Sequence, residues 1–294
     1  MKKQEKKAAK KVAATGKVAL ILRAFAKDAQ AVPQRVAMMR EMIATALAVD
    51  IDGEQAIKVV HIVVPEDQAY GDVDCGELVP ALQKEFAGDR RVKIHRLLHG
   101  DIFCAALNFG VFQASVGGSK YSIIASAEAR SYMNAPTLEG LFQAMGSGAK
   151  VAGVAINELQ ESVLEGRIAN TFAMWDNEAL LTVGGFDLRA AKPRNDKEAI
   201  YMRGWSEDQG EVFYPLAGVE EMIPLARLVK AHGKCIAVVM PRAEDGSVQH
   251  YELPTDPEML QRHIKKMGTK FPRQCALLAS EGMEPSALAG AVMK

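Results

Sequence analysis

The chain has 294 residues, 49% of them hydrophobic and 24% charged, which is the usage of a globular protein with an ample core rather than a disordered or fibrous one. Lys+Arg and Asp+Glu each number 36, so the basic excess that marks nucleic-acid binders is missing. No apolar run approaches the ~20 residues a membrane-spanning helix needs, and the four cysteines, Cys75, Cys104, Cys235 and Cys275, lack any CxxC pairing. Such spacing argues against a zinc ribbon or a disulfide framework and predicts a reducing, cytoplasmic setting.

Residues 1–16 hold Lys2, Lys3, Lys6, Lys7, Lys10 and Lys11 and read as a flexible, solvated tail, with weak contact to an acidic membrane surface as a second possibility. Val18-Ala19-Leu20-Ile21-Leu22 is an apolar run of strand length, too short and too soon interrupted by Arg23 for a secretory signal. Pro33 opens a helical pattern with Val36, Met39, Ile43 and Leu47 on one face, and Asp50 to Glu54 supply a polar turn. Val59 to Val64 is a second strand, rich in β-branched residues. A polar loop with Glu66, Asp67, Asp72 and Asp74 follows it.

Leu78, Leu82 and Phe86 mark a second helix, Val92 to Leu98 a third strand, and Cys104, Leu107 and Val111 a third helix closed by Gly117-Gly118. Tyr121 to Ala125 is a fourth strand, Leu138, Leu141 and Met145 belong to the next helix, and Val151 to Ile156 form a fifth strand. This alternation predicts βαβ units: a three-layer αβα protein with a mostly parallel central sheet. From there to Pro215 the sequence reads as irregular. Helix and strand return over Glu220 to Ala231 and Cys235 to Met240, and residues 242–294 read as an extension with one amphipathic helix carrying Leu260, Ile264 and Met267. One domain over 17–241, with a tail at each end, is the organisation expected.

In open parallel sheets ligands bind at the carboxyl ends of the strands. There the sequence places Arg23-Ala24-Phe25, Glu66-Asp67 and Ser126-Ala127-Glu128-Ala129-Arg130, charges whose burial is costly without a partner. No Walker loop, GxGxxG or GxSxG is present, which lowers the nucleoside-triphosphatase, dinucleotide and hydrolase readings. His95 and His99 are four apart but fall on a strand and its loop, where that spacing does not converge on a metal. His61, inside an apolar strand, reads as a satisfied core histidine. Trp175 and Trp205 read either as core aromatics or as sugar-stacking rings.

Four segments share a resemblance. Ile123-Ile124-Ala125-Ser126-Ala127-Glu128 looks like the strand that carries the Asp-x-Asp motif in GT-A nucleotide-sugar glycosyltransferases. Ala106-Leu107-Asn108-Phe109-Gly110 resembles the helix that precedes that strand. Glu178 to Asp187, ending Val183-Gly184-Gly185-Phe186-Asp187, is similar to the acceptor-side segment of inverting, family-2-type enzymes. Val219-Glu220-Glu221, with Arg227-Leu228 beyond, resembles the helix start that supplies their catalytic base.

The resemblance covers 17–241 and implies a GT-A-like fold. It further implies a nucleotide-diphosphate sugar donor, an acceptor it does not identify, and a divalent cation, Mn or Mg, on the carboxylate motif. It makes Glu221 the candidate base with Glu220 beside it, and Arg23, Asp67, Asn108, Ser126, Glu128 and Arg130 the candidate donor-binding residues, Glu128 being the candidate metal ligand. The motif departs from the family at Ser126, an uncharged and weaker ligand. That leaves three alternatives: Glu128 alone holds the metal, Arg130 or Arg23 replaces its charge, or the site binds without turnover. A non-catalytic nucleotide-sugar-binding or scaffold protein is therefore the competing reading. Nucleotidyltransferase chemistry would need a glycine- and lysine-rich loop after the first strand, which is missing.

Overall fold

The computed structural model describes residues 17–26, 28–66, 76–98, 104–155, 166–169, 171–190, 201–206, 210–216, 218–249 and 256–293. Asp67, Cys75, His99 and the lysines of 1–16 lie outside them.

Strand β1 (Val18–Arg23) is buried on both faces from Val18 to Leu22, as a central parallel strand must be. Helix α1 (Val32–Ala48) starts with proline in its first turn, where the missing N–H costs nothing. The polar turn at Asp50 becomes a small hairpin, β2 (Asp50–Ile51) and β3 (Glu54–Gln55), before β4 (Val59–Glu66). Helix α2 (Leu78–Glu85), strand β5 (Val92–Leu98), helix α3 (Cys104–Val116) and strand β6 (Tyr121–Ala125) continue the alternation. Helix α4 (Ala135–Gly146) is capped by Asn134, whose side-chain oxygen accepts from the Thr137 amide at 3.0 Å. Strand β7 (Val151–Val154) follows.

The region read as irregular holds a further strand of the main sheet, β8 (Phe172–Asp176), and then helix α5 (Asn177–Thr182), capped by Asp176. It also holds a separate antiparallel hairpin, β9 (Tyr201–Ser206) and β10 (Gly210–Pro215). Helix α6 (Met222–His232) carries Lys230 and His232 in its last turn, where positive charge suits the helix dipole, and stops at Gly233 with φ 68°. Strand β11 (Ile236–Val239) closes the sheet. Among its described residues the extension contains three helices where one was expected: α7 (Pro257–Gly268), α8 (Lys270–Ser280) and α9 (Pro285–Gly290).

The seven strands run in the order β11-β7-β8-β6-β1-β4-β5. Strand β8 is antiparallel to both neighbours, and every other pairing in this sheet is parallel. Two cores lie on opposite faces of it. Leu20 and Leu22 meet Met39 and Met42 of α1, Leu82 of α2 and Leu141 of α4 on one side. Ile21 meets Val111 of α3, Leu225 of α6 and Leu277, Leu278 and Leu288 of the extension on the other. The expected mixed α/β architecture, a mostly parallel sheet between helical layers, is what the chain adopts. The extension is part of its second core.

Gly110 explains how α3 lies so close to the sheet. A Cβ there would collide with Ile21 Cγ2 and sit 3.3 Å from Val63 Cγ2. Replacing Gly110 with Val is therefore expected to overpack the α3–β1 contact and cost about 3 kcal/mol. Urea unfolding would measure it, and an unchanged midpoint would show that the helix can withdraw without penalty.

His61 resides among the core strands. Its Nδ1 lies 2.9 Å from Nε2 of His95, the rings stacked at 5.1 Å between centroids. Burial first, then the positive fields of His95 and Lys93, lower the His61 pKa to about 4, so the ring is neutral at physiological pH. With His95 engaged in this way, the pair reads as a core contact between β4 and β5 rather than a metal site.

Candidate functional site

The carboxyl ends of β1, β4 and β6 gather the candidate residues along one edge of the sheet. Leu22 pairs with Ala125 in the β1–β6 register, so Arg23 and Ser126, each one residue further on, emerge side by side. Ser126 opens a 3-10 turn (Ala127–Tyr132), and its hydroxyl bonds the Glu128 carboxylate. Arg35 of α1 reaches the same carboxylate at 3.3 Å and lies over the Phe25 ring at 5.1 Å. These side chains border a cleft of about 300 Å³ lined by Phe25, Ala26, Ala31, Gln34, Arg35, Met38 and Glu128. Partial desolvation raises the Glu128 pKa, but the Ser126 hydroxyl and Arg35 more than offset it and hold the carboxyl ionised below its ordinary value.

This donor set does not fit a divalent cation. Hard cations bind through several oxygen ligands with negative charge among them. Here the single carboxylate already neutralises Arg35, the neighbouring ligand is a hydroxyl donating to that carboxylate, and no group of three metal-binding side chains exists among the described residues. Arg130 is not turned toward the cleft either. It forms an ion pair with Glu41 on the exposed side of α1, an interaction worth at most about 1 kcal/mol.

Asn108, expected at the donor, is used otherwise. Its side-chain nitrogen donates to the Phe186 carbonyl at 2.8 Å, and its oxygen accepts from the Phe186 amide at 2.7 Å. The amide thus clamps the glycine turn, where Gly184 and Gly185 have φ of 92° and 68°. A Cβ on Gly185 would strike Asn108 Oδ1. Trp175 is 1% exposed and packs edge-on against Phe186, its centroid 5.2 Å away, so it is a core aromatic rather than a sugar platform.

Beyond the turn, Asp187 accepts from Arg227 Nη2 at 2.8 Å and from Arg189 Nη2 at 3.0 Å, and both arginines also pair with Glu281. Burial would raise the Asp187 carboxyl; the bonds from Arg189 and the charges of both arginines outweigh it and leave the pKa lowered. Asn108, the glycine turn and Arg227 are parts of one scaffold, which holds α6 in place from both sides.

At the other end of α6 sit Glu220 and Glu221, 2% and 1% exposed. Arg23 Nη1 lies 3.7 Å from Glu220 Oε1, which ties the end of β1 to the start of α6. Glu221 is roofed by α8. Gln274 Nε2 donates to its Oε1 at 2.9 Å, while its Oε2 has no hydrogen-bond partner among the described residues. Burial first, and the neighbouring Glu220, raise the Glu221 pKa against the opposing charge of Lys270. Lys270 and Arg273 of α8, 7% and 8% exposed, complete the surroundings. Sequence reasoning missed both. Only the packing of α8 on α6 brings them inward.

The fold and these clustered groups define an α/β protein with cations and two buried carboxylates at the carboxyl edge of its sheet. No protein-family model matches the sequence, and no curated protein is significantly similar to it. Among solved structures the chain is similar to the mannosyltransferase PcManGT from Pyrobaculum calidifontis in complex with GDP-Man and Mn2+, with 14% identity, TM-score 0.40, and coverage of 92% of this chain and 77% of that one. It is also similar to glucosyl-3-phosphoglycerate synthase from Mycobacterium tuberculosis in complex with Mn2+ and UDP-glucose, with 12% identity, TM-score 0.43, and coverage of 93% and 83%. A third is S. aureus TarS in complex with UDP, with 9% identity, TM-score 0.42, and coverage of 90% and 70%.

Proposed function

We propose that this chain is a nucleotide-sugar glycosyltransferase of the inverting type. The observation that carries the reading is the Arg23–Glu220 ion pair. It brings the end of β1, beside Ser126 and Glu128, against the Glu220-Glu221 pair that the sequence resemblance marks as the base. In this reading the donor's nucleoside enters the cleft at Phe25 and Arg35, with Asp67, outside the described residues, on the loop that contacts it.

The acceptor hydroxyl approaches Glu221 Oε2, the carboxylate oxygen without a hydrogen-bond partner among the described residues. Its oxygen forms a bond to the anomeric carbon, the carbon–phosphate oxygen bond breaks, and the nucleoside diphosphate leaves. Glu221 takes the hydroxyl proton, and a raised pKa brings such a base nearer to the pH at which it works. The chain's own cations stabilise the leaving diphosphate, as arginine and lysine do at phosphate sites.

The competing reading, a nucleotide-sugar-binding protein without turnover, is favoured by the complete burial of Glu221 under Gln274. A melting-temperature screen with nucleosides, nucleoside diphosphates, GDP-mannose and UDP-glucose tests the part common to both. A ligand at about 100 times its Kd is expected to stabilise the fold by about 2.7 kcal/mol. Absence of any shift with every nucleotide would sink both readings. Slow donor hydrolysis separates the enzyme from the binding protein.

A further inference from the structure

Lys270 is a buried charge on α8. It is 7% exposed, yet its ammonium has no hydrogen bond or ion pair with any described residue. The field of Glu221 is the interaction it has there. A lysine pays side-chain entropy and desolvation to be buried, and that cost is normally offset by a carboxylate in direct contact. Around it, Arg273 lies in the fields of Glu220 and Glu221, and Arg23 reaches Glu220 from β1. Three cations thus converge on two carboxylates, and burial drives Glu221 toward its neutral form. The cluster adjoins Ser126, the position at which the related motif would carry a metal-binding aspartate and this chain carries none.

We propose that Lys270, together with Arg23 and Arg273, forms a phosphoryl-group subsite that holds diphosphate oxygens directly, taking over the role of a carboxylate-bound metal ion. The inference rests on the reading of the site as one for nucleotide sugars, and adds that binding needs no divalent cation and depends on the carboxyl-terminal extension. An ammonium and a guanidinium suit this task differently. Lys270 supplies a point charge with three donors, and Arg273 a planar fork. The phosphoryl group has two possible sources, the donor's diphosphate or a phosphate carried by the acceptor, and the chemistry of the subsite is the same for both.

Calorimetric titration of the full chain in EDTA tests it, with inorganic pyrophosphate, uridine and guanosine diphosphates, the two nucleosides and glucose 6-phosphate as probes. Pyrophosphate and one of the nucleoside diphosphates are expected to bind without metal and to weaken with added salt. Lys270→Met, which keeps the length of the stem, is expected to weaken both by about tenfold or more, and Lys270→Arg to restore most of the loss. Thermal melts of the two variants check that each is folded.

Binding that appears only with Mn2+, or that Lys270→Met leaves unchanged, overturns the subsite while leaving the nucleotide reading intact. Pyrophosphate binding that depends on Lys270, with no gain from an attached nucleoside, supports the subsite and removes the nucleotide reading. A Lys270-dependent preference for glucose 6-phosphate over the nucleoside diphosphates supports the subsite and assigns it to the acceptor. Failure of every phosphorylated probe to bind removes both ideas.

Discussion

Glu221→Gln is expected to reduce glycosyl transfer by roughly 10²–10⁴-fold, with donor affinity little changed, because the amide cannot take the acceptor's proton. The same substitution should make the protein more resistant to alkali. Burial raises the Glu221 pKa in the folded state, so the native chain keeps a proton there to higher pH than the unfolded chain does. That contribution is fully present below the unfolded carboxylate value and is lost as pH rises through the folded one. Glutamine has no proton to lose. The variant should melt at higher temperature than the parent at alkaline pH and match it under acid. Turnover unaffected by the substitution would assign the base elsewhere; lower melting temperatures at all pH values would mean that the carboxylate is needed charged.

The second large effect concerns Asn108. Asn108→Ala removes both partners of the Phe186 backbone, and the amide and carbonyl left behind should cost about 2 kcal/mol. The expected result is a melting temperature lower by a few degrees, with nucleotide affinity of the folded fraction unchanged. An affinity loss without destabilisation would return Asn108 to the donor site, where the sequence resemblance first put it. In the structure Asn108, Gly110 and the glycine turn pack α3 against its neighbours.

Much of the sheet was legible because β1 is an unbroken apolar run from Val18 to Leu22, and β4 and β6 are largely apolar, the pattern that two-sided burial demands. Strand β8 was not. Phe172-Ala173-Met174-Trp175 has no β-branched residue, and its antiparallel direction breaks the βαβ rhythm that identified its neighbours. Helix α8 was hidden by Pro272, which reads as a breaker. It falls in the helix's first turn, where a missing N–H is tolerated. The carboxylates of the site could be found from local motifs, since Glu220 and Glu221 adjoin a helix start. The cations could not. Lys270 and Arg273 reach Glu221 only through the contact of α8 with α6, a pairing of distant segments that no local spacing encodes.

Residues 291–293 return to the sheet. Cys235 donates to the Ala291 carbonyl at 3.1 Å, Met293 donates to the Ile236 carbonyl at 2.8 Å, and Val292 bridges Ile236 in parallel. During synthesis these residues leave the ribosome after all seven strands of the sheet. Until α8 arrives Glu221 lacks its roof, and until residues 291–293 follow β11 presents an open edge. A nascent chain that has β11 but not yet α8 thus has an unprotected strand and an incomplete site together, and α8 completes the site before residues 291–293 cover the strand.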